Sequence, residues 1–179
     1  MCESRFTLTV YIAPPFTSES NVGHMWISLD DNEEGLKEHY GFHPKEDGKA
    51  YSDVGRVATD DGIKYTILST RQSFPLTEET YHNVHAYCQS TIYGTFGPYL
   101  AVGNACVNYA WDIMQAAGIG NEGLNALGFV IETDDPRGAV WPTFNQKKLN
   151  MVHDYYMAEW NGEDPQTVGE FIMDKMKVW

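Results

Sequence analysis

The apolar pattern changes period at Thr77, and that change leaves few architectures open to the chain. Up to Leu76 the apolar residues fall in short runs that alternate or are β-branched. Beyond it they recur at helical spacing. "RFTLTVYIAPP" closes on Pro14-Pro15 and reads as a first strand. "HMWISLD" sets His24, Trp26 and Ser28 against Met25, Ile27 and Leu29, a second strand with His24 at its start. "DNEEGLKE" supplies a turn and "EHYGFHP" a partner strand stopped by Pro44, which together predict a hairpin. "KEDGKAYSDVGRVATDDGI" is rich in Gly and Asp and reads as a long surface loop. "KYTILSTRQSFPL" is a further strand region. After it, "LTEETYHNVHAYCQSTIYG" is a helix capped by Thr77, with Glu78 and Glu79 in its first turn and Gly94 as its stop.

"TFGPYLAVGN" is an irregular approach to a second helix, "ACVNYAWDIMQAAG". There Val107, Ala110, Trp111 and Met114 make one apolar stripe and Gly118 ends the run. In the remainder, "DDPRGAVWPTFNQ" reads as loop. "KKLNMVHDYYMAEW" and "DPQTVGEFIMDKMKVW" read as helices, the latter opened by Asp164-Pro165. Strands followed by helices predict an α+β fold. The 179 residues suit one domain.

Composition narrows the function. With 42% hydrophobic and 13% aromatic residues the chain can build a core without staples. A formal net charge of −13 speaks against nucleic-acid binding, which needs a Lys/Arg surface, and against anionic lipid. Cysteines at positions 2, 88 and 106 form neither a disulfide framework nor a CxxC zinc ribbon. No run is apolar enough to span a bilayer, and no basic segment precedes a long apolar one at the N-terminus. Synthesis in the cytoplasm without a Sec signal is therefore expected.

Two residues carry candidate chemistry. Cys106 stands where the second helix begins, where free N–H groups and the helix dipole favour thiolate over thiol. The same N–H groups can hold an oxyanion, and Gly103 allows close backbone approach. A lone thiol is as often an inert core residue. His24, preceded by Gly23 at a strand start, can face a cleft and exchange a proton with a nucleophile. Alone, it is more often a structural histidine.

Taken together, "GHMWISL", "HYGFHP" and "GNACVNYAWDIMQAAGI" resemble the circularly permuted NlpC/p60-type, papain-like cysteine hydrolases, in which the Gly-His strand precedes the Cys helix. The resemblance spans roughly residues 8–119 and includes bacterial type VI secretion amidase effectors. It implies an antiparallel sheet packed against helices, with residues 1–125 as the catalytic core. Residues 126–179 would be a helical C-terminal extension on the same domain.

The resemblance also assigns roles. Cys106 would be the nucleophile and His24 the general base. A third polar residue would lie on the strand after the His strand. His39 is favoured, Tyr40 is the alternative on the opposite face, and Glu38 and His43 are weaker candidates. Asn104 and Tyr99 would line the oxyanion or substrate site, although Asn104 could equally cap the helix.

The other polar residues have plainer readings. His39 and His43 with Asp47 or Asp53 would be a metal set, but Gly41 and Pro44 argue for strand there, and no metal or cofactor is expected. "DDG" at 60–62 and "DNEEG" at 31–35 lack a calcium-loop pattern and read as turns. His82, His85, Cys88 and Trp111 read as packing or surface residues.

The implied function is a cysteine amidase or peptidase that cleaves peptide bonds of bacterial peptidoglycan. It would act as an antibacterial effector in the periplasm of a target cell, countered by an immunity protein and delivered by a secretion apparatus. The alternatives are a lipid-directed thioesterase or acyltransferase on the same scaffold, and a non-catalytic binding module. The first reading requires His24 within hydrogen-bond reach of the Cys106 sulfur.

Overall fold

A computed structural model describes residues 4–17, 20–46, 53–94, 96–100, 104–120 and 142–163. The strands are β1 (Phe6–Ala13), β2 (His24–Asp31), β3 (Leu36–Pro44), β4 (Asp53–Ala58), β5 (Thr70–Leu76) and β6 (Pro98–Tyr99). They form one six-stranded antiparallel sheet in the order β5-β1-β2-β3-β4-β6. The helices are α1 (Asp61–Lys64), α2 (Glu78–Tyr93), α3 (Cys106–Ala116) and α4 (Gln146–Trp160), the last entered through a 3-10 turn at Pro142–Asn145. The fold is α+β, with helices packed against the sheet. Among the described residues no helix is long and apolar enough to cross a membrane.

Register sorts the side chains into two faces. Leu8, Val10 and Ile12 of β1 lie opposite Leu29, Ile27 and Met25 of β2. This face meets Val84 and Cys88 of α2 and Val107, Ala110 and Met114 of α3 in the main core. Burial of such apolar area, at about 25 cal/mol per Å², drives the assembly. The opposite face carries Tyr11 and Ala13 against Trp26 and His24. It forms a second, smaller cluster closed by Tyr65, whose ring centroid lies 5.3 Å from that of Trp26. Both faces of β2 are therefore covered, and all eight of its residues are buried, polar ones included.

Three segments differ from expectation. The stretch 45–63 is not simply a surface loop. It contains β4, which pairs with β3 from Gly41↔Ala58 to Pro44↔Gly55, and the single-turn helix α1. Gly/Asp-rich composition hid a strand whose partners are distant in sequence. The approach to α3 likewise contains β6, which pairs with β4. Within the expected loop at 134–146, the described end forms the 3-10 turn and the first residue of α4. The rest of that loop and the helix opened by Asp164-Pro165 fall outside the described residues.

α4 shares the main core through Leu149, Val152, Tyr155 and Ala158. Polar contacts tie it to β5: His153 Nε2 to the Ser73 carbonyl at 3.1 Å, and the Tyr156 hydroxyl to the Pro75 carbonyl at 2.6 Å. At its entrance Trp111 Nε1 donates to Asn145 Oδ1 at 3.1 Å.

Candidate active site

Gly23 fixes where the histidine stands. Its φ of +89° is one that L side chains rarely adopt, and a Cβ there would lie 2.6 Å from the Ala13 carbonyl oxygen. The chain turns tightly at Gly23 and enters β2 at once, so His24 occupies the last rung of the β1–β2 ladder, opposite Ala13. Its ring is held between aromatic neighbours, with centroids 4.7 Å from Tyr65 and 5.6 Å from Trp26. His24 is 3% exposed.

Cys106 is the first residue of α3 and is also 3% exposed. Ala105 precedes it and offers no capping side chain. Asn108 Oδ1 accepts the Ala105 N–H at 3.0 Å. The first-turn N–H groups thus lie beside the sulfur, as an anion there requires. The His24 ring, the Met25 backbone N–H and the Tyr99 hydroxyl all act on the sulfur and favour its anion. Burial alone would raise the thiol pKa. The His24 charge and these donors outweigh it and hold the thiol below its ordinary 9.0.

The other partner of His24 is Asp61, the first residue of α1, which is fully buried. His24 Nε2 donates to Asp61 Oδ2 at 3.1 Å, which leaves Nδ1 as the ring nitrogen for the sulfur. Burial opposes the imidazolium, but the Asp61 carboxylate and then the Cys106 sulfur overcome it and raise the pKa of His24 to about 10. Burial would likewise favour a protonated Asp61. The His24 charge and the bonds from His24 and His43 hold that carboxyl below the usual carboxylate range instead. The line Cys106–His24–Asp61 therefore favours thiolate, imidazolium and carboxylate together.

Two glycines make room. A Cβ at Gly41 of β3 would fall 1.6 Å from Asp61 Oδ2 and 2.9 Å from His24 Nε2. A Cβ at Gly62 would fall 2.3 Å from His39 Nε2, so α1 rests directly on the His39 ring.

The carboxylate on His24 replaces the expected third residue on β3. His39 Nδ1 accepts from Trp26 Nε1 at 3.2 Å. The Tyr40 hydroxyl lies on the helix-covered face, where it accepts from Gln89 at 2.9 Å. Glu38 pairs with His85 at 2.7 Å. His43 comes closer, since its Nε2 donates to Asp61 Oδ1 at 2.7 Å. The Tyr99 hydroxyl acts on the sulfur, whereas the Asn104 side chain is engaged elsewhere, its Nδ2 donating to the Pro98 carbonyl at 2.7 Å. Gly103 and Asp47 fall outside the described residues.

Sequence reading missed Asp61 because "DDG" has turn composition and its partner is 37 positions away. The available signal was placement. An acidic residue opening a helical turn straight after a strand that pairs with the "YGFHP" strand is delivered to the same sheet end as His24.

Comparison of the chain with protein families, with curated proteins and with solved structures returns no match.

Proposed function

We propose that the chain is a cysteine hydrolase that cleaves amide bonds in the peptides of bacterial peptidoglycan. The observation that carries the reading is a buried cysteine at a helix N-terminus, its thiol lowered by the charge of a histidine whose Nε2 is held by a buried carboxylate. That arrangement suits nucleophilic acyl transfer. The Cys106 thiolate attacks the carbonyl carbon, and the electron pair of the C=O bond moves onto oxygen. Donors for the oxyanion are at hand in the first-turn N–H groups of α3 and in the Tyr99 hydroxyl. His24, charged at rest, gives its proton to the departing amine nitrogen as the C–N bond breaks, leaving an acyl thioester. Water then attacks the thioester while His24 takes its proton. The acid leaves and the imidazolium–thiolate pair is restored. Asp61 keeps the ring turned and balances its charge.

The choice of peptidoglycan rests on the resemblance of "GHMWISL", "YGFHP" and "GNACVNYAW" to permuted NlpC/p60-type, papain-like hydrolases. On that reading the protein is an antibacterial effector delivered into the periplasm of a target cell and neutralised by an immunity protein. The test is digestion of purified sacculi by wild type and Cys106→Ala, with mass analysis of the muropeptides. New peptide termini with wild type alone support the reading. Unchanged muropeptides across pH and reducing conditions remove the substrate, and equal lysis by both proteins in the periplasm removes the cysteine mechanism.

A further inference from the structure

His43 is not needed by a cysteine–histidine–carboxylate line, yet it is built into it. Its ring centroid lies 4.3 Å from that of His24, and both Nε2 atoms address the two oxygens of one buried carboxylate. One donor atom from each of His24, His43 and Asp61 lies within 4.8 Å of the other two. The donors come from β2, β3 and α1, so the sheet and the helical turn bring them together, and the missing Cβ of Gly41 clears the space beside Oδ2 and Nε2. Two imidazoles and a carboxylate are a donor set of intermediate softness. It suits zinc and its first-row neighbours, whereas magnesium and calcium prefer oxygen. Three protein ligands leave a fourth position of a tetrahedral ion open. The stacking of Tyr65 and Trp26 on the His24 ring supplies the outer support that fixes ligand orientation.

We propose that His24, His43 and Asp61 form a binding site for a zinc-class divalent cation. The ion takes the place of the two N–H protons that now point at the carboxylate. A ring that binds metal through Nε2 is not an imidazolium, so cation binding and the charged form of His24 exclude one another. The site shares His24 and Asp61 with the proposed catalytic line, so a bound cation would block the acid–base work of His24, but Cys106 is not among the three ligands and binding can be read without it.

The test is calorimetric titration of zinc chloride into the metal-free Cys106→Ala protein, which removes thiolate binding to the metal. One equivalent of zinc should bind, and magnesium chloride should give no heat of binding. His43→Gln, checked for its fold by circular dichroism, should weaken zinc by at least ~10-fold. If His43→Gln does not retain the fold, His43→Asn takes its place. No zinc binding, or binding that the His43 variant leaves intact, overturns the proposal. Modification of Cys106 by iodoacetamide in excess chelator reads the thiolate separately, so failure of the metal site and failure of the nucleophile give different results.

Discussion

Cys88 and Cys106 are both buried on helices that face the same core, and their thiols move in opposite directions. Cys88 lies inside α2, where burial, followed by the charge of Glu38, pushes its thiol far above the ordinary range. Cys106 lies at the first position of α3, and the His24 charge, the Met25 N–H and the Tyr99 hydroxyl reverse the effect of the same burial. Removal from water by itself makes a sulfur inert. What separates the two is partners that come from other strands, together with a helix end in place of a helix middle.

The largest effect that could break this contrast is loss of hydrolysis. On the proposed hydrolase reading, Cys106→Ala should lower turnover of sacculus peptides by at least ~10⁴-fold. Cys88→Ala should change it less than about twofold and cost about 1 kcal/mol of stability in urea unfolding. Comparable losses from both would end the distinction.

Next is the imidazole. His24→Ala leaves Cys106 with burial and little compensation. Its pH midpoint for iodoacetamide modification, followed by peptide mass, should rise from below 9.0 to above it. At pH 7 the rate should fall by at least ~10-fold as the thiolate fraction drops. Cys88 should stay unmodified in the folded protein throughout.

Asp61→Asn should act less strongly on the same rate, because the ring keeps its place but loses its counter-charge. It should also change the acid limb of stability. A carboxyl held below its unfolded value of 3.8 stabilises the fold above that pH, and this is lost as the pH falls through the lower folded value. The melting temperature of wild type should therefore drop in acid by more than that of Asp61→Asn. At the other end, a histidine raised from 6.5 to about 10 stabilises fully below 6.5, and the contribution fades as the pH rises through 10. Melting curves between pH 6 and 10.5 should decline for wild type and flatten for His24→Ala.

The smallest change is Tyr99→Phe. It removes the smallest of the influences that lower the thiol, so modification at pH 7 should slow by only about 2- to 5-fold. An effect as large as that of His24→Ala would make Tyr99 the main holder of the thiolate.

The sequence makes local features legible and hides contacts across strands. The alternation in "HMWISLD" yields β2 and its two faces. Thr77 does cap α2, its hydroxyl accepting the Thr80 N–H at 3.2 Å. Cys106 does open α3, and the His24 charge acts on its sulfur. β4 and β6 escape notice because short strands draw stability from their neighbours more than from propensity. Missing β4 also hides the hairpin that carries Asp61 back over β3. His39, favoured for the third place, is engaged by Trp26 instead. The position on β3 is right for facing His24's side of the sheet, but α1 and Trp26 already occupy its ring, and the carboxylate enters from the helical turn above.

Gly41 has a practical consequence for anyone who maps this protein by random mutation. It carries no side chain and no charge, and would be passed over in a scan of reactive side chains. Yet a single methyl group there collides with the acid that holds the base. Gly41→Ala should therefore displace Asp61 from the His24 ring, a lesion at a residue that itself takes no part in the chemistry.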